Sequence, residues 1–330
     1  MIFLPLWFVW ASLMTSNLIH TPLDRAAWHR PLVSIIITHY NYSDFISDAI
    51  RSVLDQTHDN WELVIVDDAS SPEHRRKLEG ILSTISDDRI RYLPLAENVG
   101  QVPAFFAGFD QTNGDFVCLL DPDDRYAETF LEETLAVHLN EVVSCPIAST
   151  DQRLLTENGL ISGGYRANMK LRECEKKNGV FLIENQPYRT YYIPANIHGW
   201  HWTSTSAMMF RRAAINYLRP HKPLPFKGEF DAYMGKGCHM LGGTLFYTKP
   251  LIYRMVHERN AWHTNHFYSS FQNRMHSRAK NWAEITNILA REALLRNNAP
   301  SKLPPVKRPL LSKWRRSILK RLPFGKAKIQ

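Results

Sequence analysis

From Leu32 to Thr38 the chain reads Leu-Val-Ser-Ile-Ile-Ile-Thr, opened by Pro31 and apolar almost throughout. A strand with one wet face would alternate; this run does not, so it predicts a central parallel strand covered on both sides. Phe45, Ile46, Ala49, Ile50, Val53 and Leu54 then recur at helical spacing, with Ser43 ahead of them as a helix cap. A second apolar strand, Trp61 to Val66, ends in Asp67-Asp68-Ala69-Ser70. A more polar helix carrying Leu78, Ile81, Leu82 and Ile85 leads to a short strand, Arg89 to Leu93. After Asn98-Val99-Gly100, a helix from Gln101 to about Gln111 runs into a strand ending at Asp121, and another helix is expected from about Tyr126. Strands alternating with helices in this way define a doubly wound α/β sheet.

Periodicity weakens from Thr150 to Asn196, which reads as loops with a strand or two. Trp200 and Trp202 alternate as on a strand, a helix is expected around Asp231 to Leu241, and separate strands near Thr244–Tyr247 and Leu251–Arg254. Residues 267–297 look largely helical, and Pro300, Pro304 and Pro305 mark a linker around Ser301. No internal repeat is evident.

In open α/β sheets, ligands bind beyond the carboxyl ends of the strands. Here those ends carry Thr38-His39-Tyr40-Asn41, Asp67-Asp68, Asn98-Val99-Gly100 and Asp121-Pro122-Asp123-Asp124. Three carboxylates within four residues at a buried strand tip each need a partner. A divalent cation bridging to a diphosphate would satisfy them together, and a polar turn capping the next helix is the plainer alternative. No glycine fingerprint follows the first strand, which argues against a dinucleotide fold.

Composition narrows the setting. The 330 residues are 44% hydrophobic and 12% aromatic, enough for a substantial core. Cys118, Cys145, Cys174 and Cys238 show no paired spacing, so a reduced, cytoplasmic protein without disulfides or zinc is expected. The net charge is +8, but residues 302–330 hold ten Lys or Arg and no acid, leaving the first 301 residues at −2. The basic character therefore belongs to the tail. From Pro309 to Pro323, Leu311, Trp314, Ile318 and Leu322 recur at helical spacing among Lys313, Arg315, Arg316, Lys320 and Arg321. That pattern predicts a basic amphipathic helix lying on an anionic membrane surface, on the cytoplasmic face. A disordered tail remains the alternative; nucleic-acid binding has no support elsewhere in the sequence. Ile2 to Met14 is apolar but shorter than the roughly 20 residues of a spanning helix. It lacks a basic flank and cleavage site, so a surface segment or packed extension is expected.

Five ordered motifs together resemble the family 2 glycosyltransferases of GT-A fold. They are Val33 to Thr38 with Tyr40-Asn41, Ser52-Val53-Leu54-Asp55-Gln56-Thr57, Glu62 to Ser70, Asn98-Val99-Gly100, and Leu120 to Asp124. The resemblance covers residues 31–140 strongly and 199–260 more loosely. It implies a Rossmann-like, mostly parallel sheet with a nucleotide-sugar-binding half over 31–150 and an acceptor half over 151–265. A helical extension over 266–300 and the basic tail over 301–330 follow these, and the apolar extension over 1–30 precedes them.

The resemblance also implies roles. Thr38, Tyr40, Asp67, Asp68 and Asp121 would meet the base and ribose, UDP-sugars being favoured, with Asn98 and Gly100 as minor contacts at a helix N-terminus. Asp123, and with it Asp124, would hold Mg²⁺ or Mn²⁺. Tyr253-Arg254-Met255-Val256-His257 with Asn260 resembles the family's Tyr-Arg-x-His-x-x-Asn segment lengthened by one residue, which offers His257 to the metal or diphosphate. Gly228-Glu229-Phe230-Asp231 looks like the place of the general base, Asp231 first and Glu229 second. Trp200 and Trp202 are acceptor-site candidates, since aromatic faces cover sugar C–H surface; strand-core packing is the alternative. The Gln-x-x-Arg-Trp motif of processive relatives is absent, which favours addition of one sugar, with inversion, to a glycan or lipid-linked acceptor in bacterial-type polysaccharide or glycolipid synthesis. A catalytically silent sugar-binding protein and a nucleotidyltransferase are the competing readings.

Overall fold

The computed structural model describes residues 30–156, 159–163, 181–185, 188–197, 199–222, 224–225, 229–257, 259 and 285–289. The apolar N-terminal stretch, Cys174, Gly228, Asn260 and the basic tail lie outside the described residues. In chain order the elements are β1 (Val33–His39), α1 (Ile46–Leu54), β2 (Trp61–Asp67), α2 (Pro72–Leu82), β3 (Ile90–Pro94), α3 (Gln101–Phe109) and β4 (Phe116–Leu120). There follow β5 (Arg125–Tyr126), α4 (Phe130–His138), β6 (Ile147–Thr156), β7 (Gly159–Gly163), β8 (Phe181–Asn185), β9 (Tyr188–Ile193), β10 (Met208–Arg211) and α5 (Arg212–Leu218). A π-helical turn (Asp231–Gly235), α6 (Lys236–Gly242) and β11 (Thr244–Met255) complete the series; 285–289 is helical.

These strands form one sheet in the order β3-β2-β1-β4-β10-β6-β11-β9-β8, with β5 on β11 and β7 on β6. β3, β2, β1 and β4 are parallel, as the unbroken apolar runs require. Pleating sends alternate residues to opposite faces, and β1 shows it directly. Ile35 and Ile37 join one core with Ile46, Ile50, Leu78, Phe130 and Leu135 from α1, α2 and α4. Ile36 joins the other with Phe105, Phe106 and Phe109 of α3, Ile215 of α5 and Tyr233 of the π turn. Helices therefore cover both faces, which is the doubly wound arrangement. A methyl group on Gly108 would lie 2.7 Å from Val66 Cγ2 and 2.9 Å from Ile36 Cγ2, so α3 sits closer to the sheet than any side chain would allow.

Several local expectations change. Ser43 does not cap α1; its hydroxyl bonds His74 Nδ1 at 2.7 Å, and Phe45 stands at the cap. No helix starts at Tyr126, because Arg125 and Tyr126 pair with Tyr253 and Ile252 of β11, delaying α4 to Phe130. The region from Thr150 to Asn196, expected as loops with a strand or two, holds strands β6 to β9 among its described residues, their periodicity obscured in the sequence by polar residues on β6 such as Asp151 and Gln152. The two strands expected around Pro250 are one, β11, which shifts register there. Trp200 and Trp202 stand in irregular chain ahead of a 3₁₀ turn, not on a strand.

Candidate active site

The acidic tip of β4 is a β-turn. Asp124 N–H donates to the Asp121 carbonyl at 3.1 Å, with Pro122 in the position where its fixed φ suits a turn. Ser206, fully buried, ties this turn from below: its hydroxyl accepts from Asp121 N–H at 3.1 Å and donates to Asp124 Oδ2 at 2.6 Å. Met255 N–H reaches Asp124 Oδ1 at 3.3 Å, and Gln101 Nε2 donates to Asp121 Oδ1 at 3.0 Å. Burial pushes the Asp124 carboxyl up to about 7, helped by the Asp123 charge and opposed by Arg254 and the bonds from Ser206 and Met255. Asp121 is also raised well above the usual range, first by burial, then by Asp124, Asp123 and Asp231, with Arg254 opposing. Asp231 is thus near enough to be felt at the turn, and four carboxylates from two distant parts of the chain converge.

Asp231 opens the π turn, its Oδ1 accepting from Ala232 N–H at 2.8 Å. Phe230 before it is buried against Phe105, 4.4 Å between ring centroids, which fixes where the turn begins. Glu229 holds a φ of 65°, and its carbonyl accepts from Tyr233 N–H at 3.0 Å. The other non-glycine residues with positive φ are Asn41 and Ala69, at the tips of β1 and β2. Among the described residues this strained backbone clusters at the candidate site, as it does where a site constrains the chain.

At those tips the nucleotide candidates divide. Thr38 and Asp67 are buried, and Tyr40 is 48% exposed. Asp67 accepts from Arg75 Nε at 2.8 Å, Ser70 N–H at 3.2 Å and His39 Nδ1 at 3.1 Å. Tyr42 N–H donates to His39 Nε2, so Nδ1 carries the proton toward Asp67. Burial opposes the Asp67 charge, but these bonds outweigh it and hold the carboxyl well below the usual carboxylate range. Asp68 turns the other way. It accepts from Asn98 Nδ2, Val99 N–H and Gly100 N–H at 2.8–2.9 Å, so Asp68, Asn98 and Gly100 form one closed loop at the start of α3. Gly100 has a φ of 91°, which favours glycine there.

His257 arrives from the far end of β11. Its ring stacks on Phe45, centroids 4.3 Å apart and planes 16° apart, and Nε2 lies 3.1 Å from Asp123 Oδ2. That separation is a hydrogen bond's, and also that of adjacent ligands on one ion, about 3 Å for octahedral geometry. Among the described residues no three His, Cys, Asp or Glu side chains come close enough to cage an ion by themselves. The donor set fits a hard divalent cation nonetheless: carboxylate oxygens of Asp121 and Asp124 whose pKa values are raised first by burial and then by neighbouring carboxylates, in a shell that a diphosphate would complete.

Trp202 is a buried core residue. It is 4% exposed, and a methyl group on Gly235 would stand 2.6 Å from its ring. Trp200, half-buried, lies on it at 4.9 Å. Trp202 therefore packs beneath the π turn and leaves Trp200 the more open face. Sequence reading missed Ser206, Gln101 and the Arg254 contribution. Arg254 had a signal, standing in the Tyr-Arg pair ahead of His257; Ser206 and Gln101 had none beyond their polar character.

A model of the family described as "Glycosyl transferase family 2" matches residues 34–218, more than half of the chain. The Escherichia coli enzyme WfgD, a UDP-Glc:alpha-D-GlcNAc-diphosphoundecaprenol beta-1,3-glucosyltransferase, is 34% identical over 140 residues, 42% of this chain and 53% of that protein. The match thus spans about half of that relative's length. Among solved structures, Staphylococcus aureus TarS 1-349 in complex with UDP-GlcNAc superposes with a TM-score of 0.55 at 17% identity, over 79% of this chain and 66% of that one. The mannosyltransferase PcManGT of Pyrobaculum calidifontis, in complex with GDP-Man and Mn²⁺, gives 0.51 at 16% identity, over 90% and 84%. Both likenesses show the fold.

Proposed function

Because the chain belongs to glycosyl transferase family 2, we propose that it transfers one sugar from a nucleotide sugar to an acceptor hydroxyl with inversion at the sugar carbon. The observation that carries this reading is that Asp121, Asp123 and Asp124 share one turn at the tip of β4 and that Asp231 lies near enough to help raise the Asp121 carboxyl. The donor base rests on Tyr40, with Thr38 and the Asp67–Arg75 pair at its rim. The loop that Asp68 closes through Asn98 and Gly100 walls the ribose side. Asp123 is the first cation ligand; Asp121 and Asp124, held by Gln101, Ser206 and Met255, supply the field behind it. A Mg²⁺ or Mn²⁺ ion held there would supply positive charge against the charge growing on the leaving diphosphate.

Asp231 takes the acceptor proton as the hydroxyl oxygen bonds to the anomeric carbon and the bond to the diphosphate oxygen breaks on the opposite face. Glu229 contributes its backbone carbonyl to the turn that aims Asp231. The open face of Trp200 covers acceptor sugar. A UDP-sugar donor and a lipid-linked acceptor, in bacterial cell-surface polysaccharide synthesis, are favoured by the name of WfgD and the ligand of TarS; Mn²⁺ is favoured by PcManGT.

The test is release of nucleoside diphosphate across a panel of nucleotide sugars, with and without chelator. Asp123→Ala is expected to abolish transfer and the response to Mn²⁺, and Asp231→Asn to lower kcat by several orders of magnitude with little change in donor affinity. Full activity of Asp123→Ala in chelator would overturn the cation reading. A crippled Glu229→Gln beside a near-normal Asp231→Asn would move the base.

A further inference from the structure

The two carboxylates at the end of β2 are taken up within the fold. Asp67 has no exposed surface. Its Oδ1 accepts from Ser70 N–H at 3.2 Å and lies 3.1 Å from His39 Nδ1. Its Oδ2 accepts from Arg75 Nε at 2.8 Å and from the Tyr92 hydroxyl at 3.4 Å. A carboxylate offers about four lone-pair sites, so none is left for a ligand. Asp68 is filled likewise by Asn98, Val99 and Gly100. A base that binds at this tip must meet another group.

Arg75 stands there, in the first turn of α2, its backbone N–H bonded to the Ser71 carbonyl at 2.9 Å. Besides Nε on Asp67, its Nη2 donates to the Leu95 carbonyl at 3.2 Å. The guanidinium therefore bridges the ends of β2 and β3, which Leu95 N–H also joins through the Asp67 carbonyl at 2.8 Å. Two of the five N–H donors are used, and among the described residues Nη1 has no partner. An arginine that served only to neutralise Asp67 would lie against it with two parallel bonds. This one makes a single bond to it and keeps its side chain 34% exposed. On β1, His39 pairs with Asp67, and Tyr40 beyond it is exposed. Neighbouring strands lie about 4.8 Å apart, so the tips of β1 and β3 span about 10 Å, room for a nucleobase between Tyr40 and Arg75.

We propose that Arg75 reads the donor base through an exocyclic carbonyl on the base edge, and that Asp67 is a positioning residue that aims Arg75 without touching the base itself. This rests on the nucleotide-sugar reading above. A guanidinium donates and never accepts, so it suits uracil O4 or guanine O6 and opposes the amine that cytosine and adenine carry at the same place. In the sequence Arg75 opens the run Arg75-Arg76-Lys77, which looks like the solvated face of a helix. Its two anchors on the strand ends set it apart from the other two.

The test is titration of the full chain with UDP, CDP, GDP and ADP in the presence of Mn²⁺. Wild type is expected to bind one keto base about tenfold or more tightly than its amino counterpart, UDP over CDP or GDP over ADP. Which pair shows the preference tells uracil from guanine. Arg75→Lys keeps a positive charge beside Asp67 but loses the fork, and should bring that ratio below about threefold. Asp67→Asn should lower the ratio in the wild-type background and lower it no further in Arg75→Lys, as expected of a residue that acts through the arginine. A wild type that binds without keto preference would overturn the proposal. So would a ratio that survives Arg75→Lys, as when all four ligands weaken together, or one that Asp67→Asn reduces again in that variant. Each of these leaves the nucleotide reading standing; binding of none of the four by wild type would overturn both. Thermal melting of each variant reports that the fold is intact.

Discussion

His138 closes α4 with its ring buried and Nε2 bonded to the Met209 carbonyl at 2.9 Å. Burial holds its pKa down at about 3, against a bonded carbonyl that pulls the other way. Its folded pKa lies below the unfolded value of about 6.5, so its contribution to stability is complete above that pH and is lost as pH falls toward 3. Asp124 runs oppositely: raised to about 7, its contribution is complete below the unfolded carboxylate value and lost as pH rises through 7. Comparing wild type with His138→Gln cancels the Asp124 slope. The variant should be less sensitive to acid between pH 7 and 5, by about 2 kcal/mol at pH 5 in denaturant melts. Parallel profiles for the two proteins would refute this. Nothing in the sequence marks His138, which looks like any basic residue in a last helical turn; only its packing between β10 and α4 makes it titrate far from normal.

At the scale of elements, glycines test the close approaches. Gly235 ends the π turn against Trp202, where an added methyl group would stand 2.6–3.0 Å from the ring. Gly235→Ala should therefore cost about 1–3 kcal/mol and shift tryptophan emission. Gly80, on the exposed side of α2 with nothing within 4 Å, gives the contrast: Gly80→Ala should stabilise by about 0.5–1 kcal/mol. Equal effects at the two sites would refute the packing argument. The parallel elements were legible because each is buried on both faces, so hydrophobicity alone marks Val33–His39 and Trp61–Asp67. β5 and the joined β11 were not. Two residues, Arg125 and Tyr126, make a strand only because β11 comes to them, and Pro250 reads as a break yet falls where β11 changes partner from β9 to β5.

At the scale of the molecule, the carboxylates of the candidate site were legible as a shared sheet edge, since alternation of strands and helices puts every strand tip on one side. Who holds them was not, because Ser206 and Met255 come from far along the chain. No described helix is long and apolar enough to cross a membrane; the expected attachment to a cytoplasmic leaflet was read from the basic tail, which lies outside the described residues. Sedimentation with anionic vesicles should show binding that weakens with salt and disappears on truncation after Pro300. Equal binding by the truncated protein would shift the role to the apolar N-terminal stretch. The bonds that hold Asp124 have one more consequence, for synthesis. Ser206 and Met255 follow it by 82 and 131 residues. On a ribosome adding about 10 residues per second, the acidic tip waits roughly ten seconds for its last tie. The parallel half can form in that interval, but its charged rim stays hydrated and unclosed, so the sheet can assemble well before the candidate site does.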